Sequence, residues 1–333
     1  MAYQGINILI GTACDMRCPY CLQTGDEIVA NRKADIHKFS ESLAKYLNGE
    51  MPKRIVIWGG EPMIYWEKIK ELFDAFRTNA IEPLEGYFIT TNGLKMTDEY
   101  VEYVNERSVW TTVSAHDWRL PKTQWDKIFQ LDNFSISSII HHKHIDFWDL
   151  RRRYYEFEDQ YGFKPRFYLH FLRANDGCSP KYYMTKDDVD KLCEHLMGDV
   201  ITLASLGDDW ARWQCNQLLA DYLKELKKGN GEKCIREDRL TVDLHGNIYA
   251  CHHNYDATNI CGNLGSSIIP IIPEQPINPR IFSSSEECQS CSIYNECHGG
   301  CYLSNTHDVD CYLAKRMHFV YEAMKPVIQW RGK

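Results

Sequence analysis

Residues 14–21 read CDMRCPYC, three cysteines in the spacing C-x3-C-x2-C. The run before them, INILI at 6–10, is short, apolar and rich in isoleucine, as a buried strand is. A loop bearing three thiols therefore follows the first strand. The opening MAYQGINILIGTAC lacks the basic segment and long apolar run of a signal peptide. The expected compartment is the cytoplasm, where close-set cysteines bind metal or do redox chemistry rather than pair. Three thiols are one fewer than a closed zinc site takes. The nearest histidine, His37, is sixteen residues beyond Cys21, within a predicted helix.

Outward from this loop the chain alternates. RIVIW (54–58), GYFIT (86–90), VWTTVS (109–114), NFSISSII (133–140) and RFYLHFL (166–172) are further strand-like runs. Helical spacing lies between them: Phe39, Leu43 and Leu47 behind a cap at Asp35; Ile69, Leu72, Phe73 and Phe76; Tyr100, Val101 and Val104 behind Thr97. Six strands alternating with helices predict an α/β fold with a parallel sheet, either open or a partial barrel. Right-handed crossovers then put the cysteine loop on the edge where ligands bind. Beyond residue 180 a helix capped by Thr185 carries Val189, Leu192, Leu196 and Met197, and a second runs from about Asp208 to Lys228. KKGNGEKC reads as a linker and RLTVDLHGNIYAC as a hairpin turning at His245-Gly246. The tail from Cys311 to Trp330 is helical until Pro326. The expected segments are 1–180, a helical linker at 181–230, and a cysteine-rich module at 231–333. The net charge of −8 excludes a general binder of nucleic-acid backbone. No stretch approaches the roughly 18 apolar residues of a membrane span.

Three cysteines on a loop would leave one iron of a cubane 4Fe–4S cluster open to another ligand. The spacing, its place after the first strand, and the aromatic Tyr20 before Cys21 resemble the radical S-adenosylmethionine (SAM) superfamily. WGGEP (58–62), TTNG (90–93) and SAHD (114–117) end the next three strands in the order that family shows. The resemblance implies a partial (β/α)6 TIM-like barrel. It also implies a cluster on Cys14, Cys18 and Cys21 whose open iron binds SAM, and one-electron cleavage to a 5′-deoxyadenosyl radical. By the same resemblance Tyr20 lies beside the adenine, and Gly59, Gly60, Glu61 and Pro62 serve the SAM amino group. Thr91, Asn92 and Ser114 face its ribose and carboxylate. Relatives place an arginine after the fifth strand; here HHKH (141–144) leaves Lys143 as a substitute or a solvated turn.

Eleven of the fourteen cysteines fall between Cys178 and Cys311. Cys234-x11-Gly246-x4-Cys251, then Cys288-x2-Cys291-x5-Cys297-x3-Cys301 and Cys311, resemble the SPASM domain. That resemblance implies two auxiliary 4Fe–4S clusters, hence three in all. One is on Cys288, Cys291, Cys297 and Cys311; the other, nearer the active site, is on Cys234, Cys251 and Cys301. Its fourth position is left to Cys215, Cys261 or an open iron. Zinc is the alternative for CQSC and CHGGC, whose spacings suit it. Cys193 reads as core packing.

Enzymes with this domain pair mostly modify ribosomally made peptides or proteins. The resemblance therefore implies a peptide maturase that crosslinks or oxidises its substrate. It would draw electrons from a flavodoxin- or ferredoxin-type donor. With the first motif cysteine at residue 14, leader recognition falls to a separate protein or to the barrel itself. The layout is also similar to the anaerobic sulfatase-maturating enzymes. Where those carry an aspartate base, His252 follows Cys251 here, and a histidine near its ordinary pKa of ~6.5 can act as base. Formylglycine maturation, dehydrogenation of a small molecule, and a non-enzymatic electron carrier are the alternatives.

Overall fold

The computed structural model describes residues 3–21, 34–115, 118, 120–172, 174, 178–226, 239–249, 251, 260–265, 286–297 and 304–329. In chain order the elements are β1 (Gly5–Leu9), α1 (Ile36–Leu47), β2 (Ile55–Trp58), α2 (Trp66–Thr78), β3 (Tyr87–Thr91), α3 (Asp98–Glu106), β4 (Trp110–Ser114), α4 (Lys122–Ile128), β5 (Phe134–Ile140), α5 (Phe147–Tyr161) and β6 (Arg166–Phe171). They continue with α6 (Lys186–Glu194), α7 (Ile201–Leu206), α8 (Asp209–Leu226), β7 (Arg239–Asp243), β8 (Asn247–Tyr249), β9 (Ile260–Asn263), α9 (Glu286–Gln289), α10 (Tyr294–Cys297) and α11 (His307–Gln329). The chain divides into two compact units, Met1–Ile136 with Cys234–Ile277, and Ser137–Lys233 with Asn278–Lys333.

In the first unit the strands lie in the order β4-β3-β2-β1-β7-β8-β9. β1 to β4 are parallel neighbours, the α/β arrangement expected from the sequence. Their helices bury the residues that the spacing selects: Phe39, Leu43 and Leu47 on α1, Ile69, Leu72, Phe73 and Phe76 on α2, and Tyr100, Val101 and Val104 on α3. Caps fix where those helices begin. Asp35 accepts the amide of Lys38 at 3.0 Å, and Thr97 that of Tyr100 at 3.1 Å.

The hairpin read at 239–251 has a role that the sequence does not announce. β7 pairs in parallel with the free side of β1, Gly5 opposite Arg239 and Leu9 opposite Asp243. Its turn, with Gly246 at φ +81°, therefore sits at the same sheet edge as the end of β1. Asp243 holds the turn. Its buried carboxylate accepts the amides of His245 (2.8 Å) and Asn247 (3.0 Å) and the hydroxyl of Tyr249 (2.8 Å).

The second unit holds the end of β5 beside β6, with the helices α5 to α8 and α9 to α11. Thr185 caps α6 in a reciprocal box with Asp188. The helix then passes into a π turn, His195–Val200. That wider turn changes which face is inward: Leu196 and Val200 are buried, whereas Met197, expected on the apolar stripe, is 46% exposed. α11 also departs from expectation by running through Pro326 to Gln329. Proline's fixed φ is helical, and the bond it forfeits lies near the end of the helix. Among the described residues no helix is long and apolar enough to cross a membrane.

A half-buried ion pair ties α5 to the start of α8. Arg151 donates from Nε (2.9 Å) and Nη2 (2.5 Å) to Oδ2 of Asp208, which also accepts the Tyr155 hydroxyl at 3.0 Å. Burial pushes the Asp208 carboxyl up, but Arg151 and the other donors outweigh it and hold the pKa below the usual carboxylate value. Asp208→Ala should lower the unfolding free energy by about 2–4 kcal/mol, reduced from the cost of a fully buried pair because Arg151 is partly exposed. A depressed folded pKa stabilises above the unfolded value of roughly 3.9 and loses that contribution as pH falls through the folded one. The difference between variant and wild type in urea denaturation should therefore shrink below about pH 4.

Candidate active site

Four parallel strands bring their C-terminal ends to one edge of the first unit, and each sequence motif lies at such an end. The cysteine loop follows β1, Gly59–Pro62 follow β2, Thr91–Gly93 close β3, and half-buried Ser114 closes β4. Within the loop the amide of Cys21 donates to the carbonyl of Cys18 at 3.0 Å, a tight turn. The Met16 amide points at the Cys14 sulfur, 3.4 Å away. Cys14 is exposed, while Cys18 and Cys21 are half-buried. Although Cys14 is exposed as a residue, the crowding of its sulfur raises the thiol pKa, and the carboxylates of Glu61 and Asp15 add to this. Tyr20 is buried, 2% exposed.

The turn after β2 is shaped to admit the loop. Gly60 has φ +50°, and a Cβ there would stand 2.1 Å from the Ala13 carbonyl oxygen. The Glu61 amide donates to that same oxygen at 2.8 Å, and the Ala13 amide donates to the Tyr65 hydroxyl at 2.9 Å. Only glycine lets the two backbones approach so closely. Pro62 then opens a 3₁₀ turn, Pro62–Tyr65, which Glu61 caps.

Glu61 is buried, and both of its carboxylate oxygens are engaged. Oε1 accepts the Thr91 hydroxyl at 2.6 Å and the Met63 amide at 3.0 Å; Oε2 accepts the Asn92 amide at 2.7 Å. Burial pushes its pKa up, and these three donors oppose the rise. The carboxylate so expected at the SAM amino group binds the β2 turn to the end of β3. The Asn92 side chain, expected at the ribose, donates to Asp15 Oδ1 at 2.8 Å. Asp15 carries no motif role in the sequence, and nothing in its spacing points to this partner.

Residues 8–117 match the radical SAM superfamily. Over these residues the chain is similar to a radical SAM domain. The whole chain is similar to anSMEcpe solved with bound AdoMet and the Cp18Cys peptide, at 16% identity and a TM-score of 0.69, covering 98% of each chain. It is similar also to Streptococcus suis SuiB bound to the precursor peptide SuiA, at 17% identity and a TM-score of 0.61, covering 91% of this chain and 72% of that one. These likenesses show the fold. No curated protein matches the chain in sequence.

The cofactors that a radical SAM domain uses, SAM and a 4Fe–4S cluster, suit what the edge presents. Three thiols lie on one short loop, and a glycine turn lets that loop pack close against the end of β2. Among the described residues no three Cys, His, Asp or Glu side chains converge as on a single ion. A cubane seats each thiolate on a different iron, so its ligands stand farther apart than that.

The other cysteines are divided between the units. Cys251 belongs to the first, where it is buried. Cys261 lies against β8 in the same unit, its thiol 3.4 Å from the Ile248 carbonyl. Cys215 is fully buried on α8 in the second unit, its thiol pushed up to about 12 by burial. Cys193 is likewise buried. In the second unit Cys288 and Cys291 are joined by a turn of 3.0 Å, Cys297 ends α10, and Cys311 lies in the first turns of α11. Negative charge on the Cys311 and Cys291 thiolates would raise the Lys315 ammonium pKa. Lys143 sets its ammonium 4.9 Å over the Tyr182 ring. His252, Cys234 and Cys301 lie outside the described residues.

Proposed function

We propose that the chain is a radical SAM/SPASM peptide maturase that crosslinks or oxidises a ribosomally made peptide. The observation that carries the reading is the convergence at one edge of the three-cysteine loop, the Gly59–Glu61 turn and the ends of β3 and β4. Cys14, Cys18 and Cys21 would hold the cluster, and Gly59, Gly60, Tyr20 and Ser114 would hold SAM. Cluster and SAM, when bound, would supply one-electron radical chemistry for hydrogen abstraction from the substrate. The protein's own part is to present the thiols and to hold the loop against Gly60. Peptide substrates are favoured because both anSMEcpe and SuiB were solved with peptides bound.

Seven of the remaining cysteines belong to this proposal as auxiliary ligands, all within the proposed module 231–333 that follows segments 1–180 and 181–230. Cys288, Cys291, Cys297 and Cys311 would hold one cluster, and Cys234, Cys251 and Cys301 the other. Cys261, whose half-buried thiol lies beside β8, is our candidate for the latter's fourth position in preference to the fully buried Cys215. His252 is the proposed base. A flavodoxin- or ferredoxin-type donor, a separate leader-binding protein and a cytoplasmic setting complete the reading.

Anaerobic reconstitution tests it. Three cubanes require about 12 Fe per chain, and one requires about 4. With SAM and dithionite, 5′-deoxyadenosine should appear in chromatography, and a peptide encoded beside the gene should lose mass equal to two hydrogens. Absence of 5′-deoxyadenosine would sink the enzymatic reading. Stimulation by an amino sugar instead of a peptide would favour the dehydrogenase.

A further inference from the structure

The hydrogen bonds around Cys14 close into a ring. From Asp15 it passes through the Asn92 side chain (2.8 Å), from the Asn92 backbone amide to Glu61 (2.7 Å), and from the Glu61 amide to the Ala13 carbonyl (2.8 Å). Ala13 and Asp15 are the two chain neighbours of Cys14, so the first cysteine is held from both sides. Both ends of the Asn92 side-chain amide are engaged, since its Oδ1 accepts the Leu94 amide at 2.9 Å. The Asp15 side chain is only 21% exposed although it stands on a loop, and the Lys95 ammonium lies 3.8 Å from its other oxygen. Asp15 is not a thiol, and its carboxylate is turned to β3.

We propose that Asp15 is a positioning residue: by accepting the Asn92 amide it latches the cysteine loop to the end of β3 and thereby fixes how SAM is presented. This rests on the radical SAM reading of residues 8–117. A hydrogen bond to a carboxylate at 2.8 Å is of the stronger, charge-assisted kind, and it adds to fastenings that run from Ala13 to the Glu61 amide and the Tyr65 hydroxyl. Without it the segment between Cys14 and Cys18 would keep Ala13 pinned but swing at Asp15. The latch also accounts for an amide rather than a carboxylate at position 92, since two carboxylates would face each other there.

That geometry permits a swap. In Asn92→Asp the two carboxylates repel. In the double variant Asp15→Asn/Asn92→Asp the donor and acceptor are exchanged, the pair is remade with the same net charge, and position 92 still accepts from Leu94. SAM affinity of the reconstituted protein, read by calorimetry, should fall about 10- to 100-fold in Asn92→Asp and return to within about threefold in the double variant. Asp15→Asn alone keeps an acceptor and should lose at most about threefold. Hydrogen exchange of amides 13–18 in the metal-free chain should quicken about tenfold in Asn92→Asp and slow again in the swap. This arm needs neither cluster nor SAM. If the wild type takes up no cluster, the radical SAM reading falls, and the exchange data still judge the latch. A double variant as weak as Asn92→Asp in affinity, or as fast in exchange, overturns the proposal and returns Asn92 to direct contact with SAM.

Discussion

Replacing Cys14, Cys18 and Cys21 together with alanine should abolish 5′-deoxyadenosine formation and remove about 4 Fe per chain. The fold should survive. Cys14 is exposed and its two partners are half-buried, so the substitutions empty no core volume, and the loop keeps its fastening to Gly60 and Glu61 through backbone atoms. Unfolding free energy should change by less than about 1 kcal/mol. Cys215→Ala is the opposite case. Cys215 is fully buried on α8, and the loss of its sulfur should cost about 1–2 kcal/mol while iron content and SAM cleavage stay at the wild-type level. Iron assay, chromatography and urea denaturation on the two variants separate the ligand role from packing. A colourless wild-type chain with stoichiometric zinc, or a triple variant that still cleaves SAM, would overturn the assignment of the loop.

What could be read without coordinates was local. Six strands were legible to within about a residue at either end because each is a short β-branched or aromatic run closed by polar or glycine punctuation. Asp35, Thr97 and Thr185 were legible as caps because capping is decided within three residues. What depended on distant partners was not. The free side of β1 is taken by β7, from more than two hundred residues away, and no property of INILI says which strand will pair there. β9, ICGN, lacks the alternation that marks a half-buried strand, and its place is set by β8. The π turn after α6 shifted Met197 outward because a helix's period can change where no proline or glycine pattern marks it. In the site, the cysteines and the glycine turn were plain in the sequence, since spacing alone suggests ligands. The partners of Glu61 and Asn92 were not, because a buried carboxylate takes its nearest donors, and these come from Thr91, Asn92 and Met63. Asp15 was missed for the same reason: its partner is seventy-seven residues on.

Gly60→Ala should be nearly as damaging as loss of the thiols, although position 60 carries no ligand. Two effects act there, and a second glycine separates them. The first is backbone strain. Gly60 has φ +50° and Gly49, in the turn after α1, has φ +82°, and a left-handed conformation costs an alanine about 1–2 kcal/mol at either place. The second is space. A Cβ at Gly49 would meet nothing within 4 Å, whereas at Gly60 it would stand 2.1 Å from the Ala13 oxygen and 2.7 Å from the Thr12 carbonyl carbon. Both are backbone atoms and cannot rotate aside. The chain from Thr12 to Ala13 must move by about an ångström, and it leads straight into Cys14. The Glu61–Ala13 hydrogen bond goes with it. Gly49→Ala should therefore lower stability by about 1–2 kcal/mol with full iron content and unchanged SAM affinity. Gly60→Ala should lower stability by more, since the lost hydrogen bond adds about 1 kcal/mol, and should weaken SAM binding by about 100-fold or more and cut iron uptake in reconstitution. Calorimetry with SAM and iron assay on the two variants, matched by denaturation curves, make the comparison. Wild-type iron and SAM affinity in Gly60→Ala would mean that the cysteine loop does not rest on the β2 turn when the cofactors bind.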